Sequence, residues 1–452
     1  MSKSAKPVAG ERRRAITARQ TALAAAKAIR AGGYANLVVA DLLSETSLTS
    51  VDTRFVTELV YGAARHQGTL DAVIEAASGR ALTSLQPGVV DVLRLGAEQI
   101  LKMRVPVHAG VAESVELART QIGARVTGVV NAILRRVAAR DWAGWIEVLS
   151  QGRSEFARLG LDTCHPDWIV QAYQEVLPAD ELRAALEANN VAPTPTLVVR
   201  PTLMTREELL THGGTPTPYS RWGVRREGNP GDVPAVRQGR AGVQDEGSQM
   251  VVDLLNQVDA AEGPWADVCA GPGGKAALLM GLARARSAPF LAAELHPHRA
   301  RLVASALSAY GSTPVVVADA RTPAWCGDFG RILVDAPCTG LGALRRRPEA
   351  RWVKRASDVA QLRQLQIDLL RAGLDRTTSS GVVAYVTCSP HRGETADVVA
   401  AVLADQTADL INAPALIPDV PMARASTDPR FIQLWPHRHD TDAMFCALLR
   451  RR

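Results

Sequence analysis

Two short stretches carry residue types that could do covalent chemistry. One is Val334-Asp335-Ala336-Pro337-Cys338-Thr339-Gly340-Leu341-Gly342, with Arg345, Arg346 and Arg347 close behind. The other is Tyr385-Val386-Thr387-Cys388-Ser389-Pro390, followed by Glu394. Each reads as a strand end that delivers a cysteine, and a thiolate is a nucleophile. One such cysteine alone is more simply a small buried residue. Two at parallel positions, one beside Asp-Ala-Pro and the other between Thr and Ser, favour chemistry. A structural disulfide between them does not suit a reducing compartment.

A third stretch, Trp265-Ala266-Asp267-Val268-Cys269-Ala270-Gly271-Pro272-Gly273-Gly274-Lys275, reads as a buried strand that turns on glycine and opens a helix over 276–283. Gly273 and Gly274 can take positive φ and admit a ligand close to the backbone. The helix start offers N–H donors and a partial positive charge. A phosphate-binding P-loop is excluded, because Gly271 lies too close to Gly274-Lys275 and Ala276 follows. Gly271 to Ala276 with Glu294 downstream meets a loose dinucleotide fingerprint. From the loop alone, a dinucleotide and a nucleoside cofactor such as S-adenosylmethionine stand level.

From residue 242 the pattern alternates strand and helix, as in a doubly wound α/β sheet. Strands are predicted at 265–269, 289–294, 314–319, 331–335 and 381–387, with a closing hairpin of 432–435 and 444–449. Such sheets bind ligands beyond the carboxyl ends of their strands. Asp267, Glu294, Asp319, Asp335 and Cys388 all fall at those ends, which packing alone does not explain.

Ahead of this lies a different texture. Residues 15–142 read as an all-α domain: Thr17 to Gln20 resembles a capping box, and helices are predicted at 51–67, 70–77, 87–103, 107–121 and 125–139. Pro87 suits a first helical turn and Gly79 a stop. Residues 143–240 read as a small α+β linker module, with helices at 182–189 and 206–212 and a strand at 193–200. Cys164 beside His165 is read as structural. Residues 1–14 are expected to be a disordered basic tail without the apolar core of a signal peptide.

The 452 residues suffice for two or three domains, and 47% hydrophobic with 22% charged content is that of a folded soluble protein. The net charge of +6 is carried mainly by arginine, which grips phosphate bidentately, so the balance leans towards nucleic acid. Six cysteines lie scattered without a CxxC or zinc spacing, which fits a cytoplasmic protein. No metal is assigned, His437 and His439 having no third ligand in view. No apolar run approaches membrane-spanning length.

Taken together, the Cys-Ala-Gly-Pro-Gly-Gly-Lys loop at 269–275, Asp-Ala-Pro-Cys at 335–338, Thr-Cys-Ser at 387–389 and Pro-His-Arg-His-Asp at 436–440 resemble the RsmB/Sun (Fmu) family of S-adenosylmethionine-dependent ribosomal RNA cytosine-C5 methyltransferases. The helical region resembles the NusB family of RNA-binding folds through residues 18–23, 55–62, 107–118 and 128–136. The resemblance runs from about 17 to 450. It implies a Rossmann-like methyltransferase fold behind a NusB-like domain. It also implies that Cys388 attacks the base, that Cys338 assists breakdown of the adduct, and that Asp335 holds the base edge. Cys269, Ala270, Gly271, Pro272, Gly273, Gly274 and Lys275 would wrap the methionine part of the cofactor, Glu294 the ribose and Asp319 the adenine, with Asp335 at the same pocket. Arg345, Arg346 and Arg347 are candidates for phosphate contacts. The family usually has Ala where this chain has Gly271, often Asp at Glu294, and Glu-Asn where this chain has Glu394-Thr395.

The substrate implied is small-subunit ribosomal RNA, with tRNA as the alternative, and the enzyme is expected to act as a monomer. Three other readings compete. A NusB-like RNA-binding factor with an inactive scaffold sits poorly with the retained cysteines and acids. An NAD oxidoreductase leaves both cysteines without a role. A DNA cytosine methyltransferase would promote Cys338 to nucleophile, against the Thr-Cys-Ser motif and the helical domain.

Overall fold

The computed structural model describes residues 16–311 and 314–452, so the N-terminal tail expectation lies outside the described residues. The chain divides into two compact units, up to Ser154 and from Glu155 onwards.

The first unit is helical: Ala18–Arg30, Ala35–Ser44, Ser50–Ser78, Pro87–Leu101, Val107–Gln121, Thr127–Val137 and Trp142–Leu149. The Thr17 capping box forms, with Gln20 N donating to Thr17 Oγ1 and Thr17 N donating to Gln20 Oε1. Pro87 opens its helix, and Gly79 closes another in the left-handed conformation. The segments predicted at 51–67 and 70–77 form one helix, because Val56, Leu59, Val60, Val73, Ile74 and Ala77 bury one continuous stripe. That packing outweighs the cost of Gly68, about 1 kcal/mol. The helix Ala35–Ser44 was not foreseen. The domain end expected at 142 moves to 154, because Trp145 buries its ring among these helices and its Nε1 donates to Val137 O.

The second unit opens with the helices Glu155–Thr163, Asp167–Gln174 and Leu182–Ala188. A small antiparallel sheet follows, built from β1 (Thr196–Val199), β2 (Thr215–Pro216), β3 (Gly223–Arg225) and β4 (Ala241–Val243) in the order β2-β3-β1-β4. β4 pairs with β1, so the expected boundary at 240 cuts through this sheet and also shifts.

The larger sheet holds β5 (Trp265–Asp267), β6 (Phe290–Glu294), β7 (Val315–Val317), β8 (Phe329–Asp335), β9 (Thr377–Thr387), β10 (Ala408–Ile411), β11 (Ile432–Gln433) and β12 (Phe445–Arg451). Its order is β10-β12-β9-β8-β5-β6-β7, with β11 beside β12. β7, β6, β5, β8 and β9 run parallel, β12 runs antiparallel to β9, and β10 antiparallel to β12. β5, β8 and the second half of β9 are buried and mainly apolar, as strands covered on both faces must be. The chain order reverses between β5 and β8, and their carboxyl ends therefore frame the crevice where such folds bind ligands.

Candidate active site

The first wall is the turn after β5. Gly273 takes φ 112°, and a Cβ there would press on Ala306 and Val303, so only glycine fits. It precedes the helix Gly274–Ala285, whose first turn has no side-chain cap. Its N–H donors are thus available to an anionic group. Across the turn, buried Glu294 at the end of β6 accepts from Gly271 N at 3.0 Å and from His296 N at 3.0 Å. Arg299 Nη2 donates to Gly271 O at 2.5 Å and lies 3.7 Å from Glu294. Arg299 was missed in the sequence, where its signal was a cation one turn into the helix that follows Glu294. Asp319, beyond β7, is engaged by Arg321. Ala318 N donates to Glu294 O, which places this strand end next to that of β6.

Lys275 projects from the first turn of that helix, and its Nζ donates to Asp335 Oδ2 at 2.9 Å, joining the β5 and β8 ends. Burial would lower Lys275, but Asp335 and the Cys388 sulfur outweigh it and leave the amine raised. Asp267 lies wholly buried beneath. Its Oδ1 accepts from Cys269 N, and its Oδ2 has no hydrogen-bond partner. Burial first, then the charge of Asp335, pushes its carboxyl up to about 8. Burial likewise drives the Cys269 thiol well above its ordinary range, which fits a packing residue and not a nucleophile.

The two cysteines predicted from the motifs meet. Cys338 Sγ and Cys388 Sγ lie 3.4 Å apart, both as free thiols. Parallel pairing of Asp335 with Val386 sets β8 and β9 in a register that carries both motifs to one edge of the crevice. Their shared hydrogen bond lowers Cys388 and raises Cys338 well above the usual thiol range. Burial opposes the first shift, and Lys275 assists it. Either sulfur can carry the proton of this contact, and the Lys275 cation favours a thiolate on Cys388.

Behind them, buried Glu394 accepts from Thr339 N, Thr339 Oγ1 and Ser389 Oγ. Thr395 turns away, its Oγ1 donating to His391 O.

The arginine run takes another role than the one expected. Arg345 Nη1 donates to Asp440 Oδ1 at 2.6 Å, Arg346 is held by buried Asp442, and Arg347 lies 3.8 Å from Glu349. Arg345 and Arg346 so fasten the loop after Cys338 to the segment before β12, and the expectation of phosphate contacts gives way to internal ion pairs. His437 pairs with Glu181, and His439 bonds Trp435 N and Pro421 O. Among the described residues no group of three or more His, Cys, Asp or Glu could hold a metal ion.

Comparison with known proteins agrees with this geometry. Residues 253–450 match the family model of 16S rRNA methyltransferase RsmB/F, and residues 16–139 match the NusB family. The chain is 43% identical to the Mycobacterium tuberculosis protein Rv1407 over 98% of each. It is 32% identical to ribosomal RNA small subunit methyltransferase B of Serratia proteamaculans, over 79% of this chain and 83% of that one. The chain belongs to the RsmB/F methyltransferase family. It is an S-adenosylmethionine-dependent methyltransferase of the ribosomal RNA type. Its fold is that of the crystal structure of PH0851, with a TM-score of 0.80 at 21% identity over 96% of this chain and 98% of that one. The site suits the cofactor on its own terms: an uncapped helix start for a carboxylate, and acids at successive strand ends for hydroxyl and amino donors.

Proposed function

We propose that this enzyme methylates carbon 5 of a cytosine in small-subunit ribosomal RNA through a covalent bond to Cys388. The observation that carries this reading is the sulfur pair, 3.4 Å apart at adjacent strand ends. Carbon 5 of cytosine is a weak nucleophile. Addition of the Cys388 thiolate to carbon 6 makes carbon 5 carbanion-like and able to take an electrophilic methyl. S-Adenosylmethionine, held by residues 269–275 with Glu294, Asp319 and Asp335, supplies that methyl when bound.

Asp335 has one oxygen on Lys275, and its other oxygen would hold the base edge and favour a protonated ring nitrogen. Lys275 sustains the Cys388 thiolate. After methylation the carbon 5 proton must leave, and the carbon–sulfur bond then breaks to return the Cys388 thiolate. Cys338, beside that sulfur, assists this step. The base must be unstacked or already single-stranded to enter. The NusB-like unit binds RNA, and the protein works as a monomer in the cytoplasm.

The test is to incubate the full chain with labelled methyl donor and unmodified small-subunit ribosomal RNA or tRNA, then digest to nucleosides. Label in 5-methylcytidine from ribosomal RNA supports the proposal. Label from tRNA alone corrects the substrate, and label in any other nucleoside overturns the chemistry.

A further inference from the structure

Glu394 is completely buried, and burying a carboxylate is costly unless donors surround it. Its Oε2 accepts from Thr339 Oγ1 at 2.5 Å and Ser389 Oγ at 2.6 Å. Its Oε1 accepts from Thr339 N at 2.7 Å and, more weakly, from Gln366 Nε2 at 3.4 Å. Thr339 follows Cys338, and Ser389 follows Cys388. Gln366 also donates to Pro337 O, just ahead of Cys338, and Tyr385 OH donates to the backbone carbonyl of Glu394. One carboxylate thus grips the residue after each cysteine, and the two loops are joined further by the Gly342 N to Cys388 O bond at 2.8 Å, a 3.3 Å hydroxyl contact and the sulfur contact itself.

Charge is distributed unequally around the sulfurs. The cation of Lys275 favours a thiolate on Cys388 against the anions of Asp335 and Asp442, whereas Cys338 meets only anions, those of Glu394 and Asp335. We propose that Glu394 is a positioning residue that clamps the two cysteine loops at sulfur contact and keeps the shared proton on Cys338. It touches no reacting atom. Its carboxylate fixes the geometry of the pair, and its charge disfavours a thiolate on Cys338, so that Cys388 is the sulfur presented to the base. This rests on the reading of Cys388 as nucleophile.

The test needs neither RNA nor cofactor. The full chain is alkylated with iodoacetamide across pH, and labelling of the Cys338 and Cys388 peptides is followed by mass spectrometry. Wild type is expected to label Cys388 first. Glu394→Gln, of equal size, is expected to lower the Cys388-to-Cys338 rate ratio about tenfold, the equivalent of one pKa unit, and to move the pH midpoint of Cys388 upward. Ser389→Ala removes one bond of the clamp, and a smaller change in the same direction is expected; it decides the matter if Glu394→Gln does not fold. A purely structural role would speed both thiols together and leave ratio and midpoint in place, which overturns the proposal. Wild type without preference for Cys388 overturns the nucleophile reading and this inference together. A wild-type preference that survives Glu394→Gln unchanged overturns this inference alone.

Discussion

The pocket around Gly271 makes a quantitative demand. A Cβ on Gly271 would fall well inside 3.0 Å of Glu294 Oε2 and 2.8 Å from Arg299 Nε. To regain ordinary contact at 3.4 Å the carboxylate must retreat by about 1 Å. That retreat loosens its 3.0 Å bond from Gly271 N and disturbs the Arg299 grip on the turn. Overpacking of this kind costs about 1–3 kcal/mol. Because the strain falls on the residues proposed to hold the cofactor, Gly271→Ala is expected to weaken S-adenosylmethionine binding by about 5- to 150-fold. Glu294→Asp shortens the acid by one bond, about 1.5 Å, and makes the room an alanine needs. The double variant Gly271→Ala/Glu294→Asp is therefore expected to bind better than Gly271→Ala alone. The two departures from the family pattern would then be one coupled change. Calorimetric titration of the four proteins reads this directly. Strictly additive losses, or unchanged binding in Gly271→Ala, would refute the steric reasoning.

Three further outcomes are expected. Lys275→Met removes the cation that lowers Cys388, so the acid limb of the rate–pH profile should move to higher pH; a profile that changes only in height would contradict this. Asp267 is raised in the folded state to about 8 from 3.8, so the folded state binds more protons between those values and stability must fall as pH rises through that window. Asp267→Asn keeps the acceptor for Cys269 N, and urea denaturation at pH 5 and pH 8 should show a smaller loss than in wild type. Arg351 is wholly buried and donates to Cys164 O, Asn189 O and Asn190 Oδ1. Arg351→Met strands those acceptors and should cost about 3 kcal/mol, seen as a lower denaturation midpoint.

What the sequence revealed and what it hid follow from range. The strands of the large sheet were legible because β8 and β9 carry the apolar runs Ile332–Val334 and Val382–Val386, and their ends were set by Asp335, Thr387 and the glycine turn after β5. Their starts were less so: β9 begins at Thr377, ahead of Gly381, on polar residues of which Thr377 pairs with Phe329 of β8. The edge strand β10 and the three-residue β4 carry little periodicity, and pairing partners alone define them. The two cysteines, the glycine loop and the acids at strand ends could be named from local motifs. Their mutual contacts could not. Arg345 and Arg346 read as a free basic run because Asp440 and Asp442 lie nearly a hundred residues away. The Glu394 clamp and the Gly271–Glu294 contact likewise join segments that only the fold brings together.

The most direct measurement is methyl transfer from labelled S-adenosylmethionine to unmodified small-subunit ribosomal RNA by wild type, Cys388→Ala and Cys338→Ala side by side, with each reaction also run on a denaturing gel. Wild type is expected to transfer label. Cys388→Ala should transfer none and form no adduct, while Cys338→Ala should accumulate a protein–RNA adduct that survives denaturation. An adduct trapped by Cys388→Ala and abolished by Cys338→Ala would reverse the two roles, and full transfer by Cys388→Ala would contradict covalent catalysis at this sulfur.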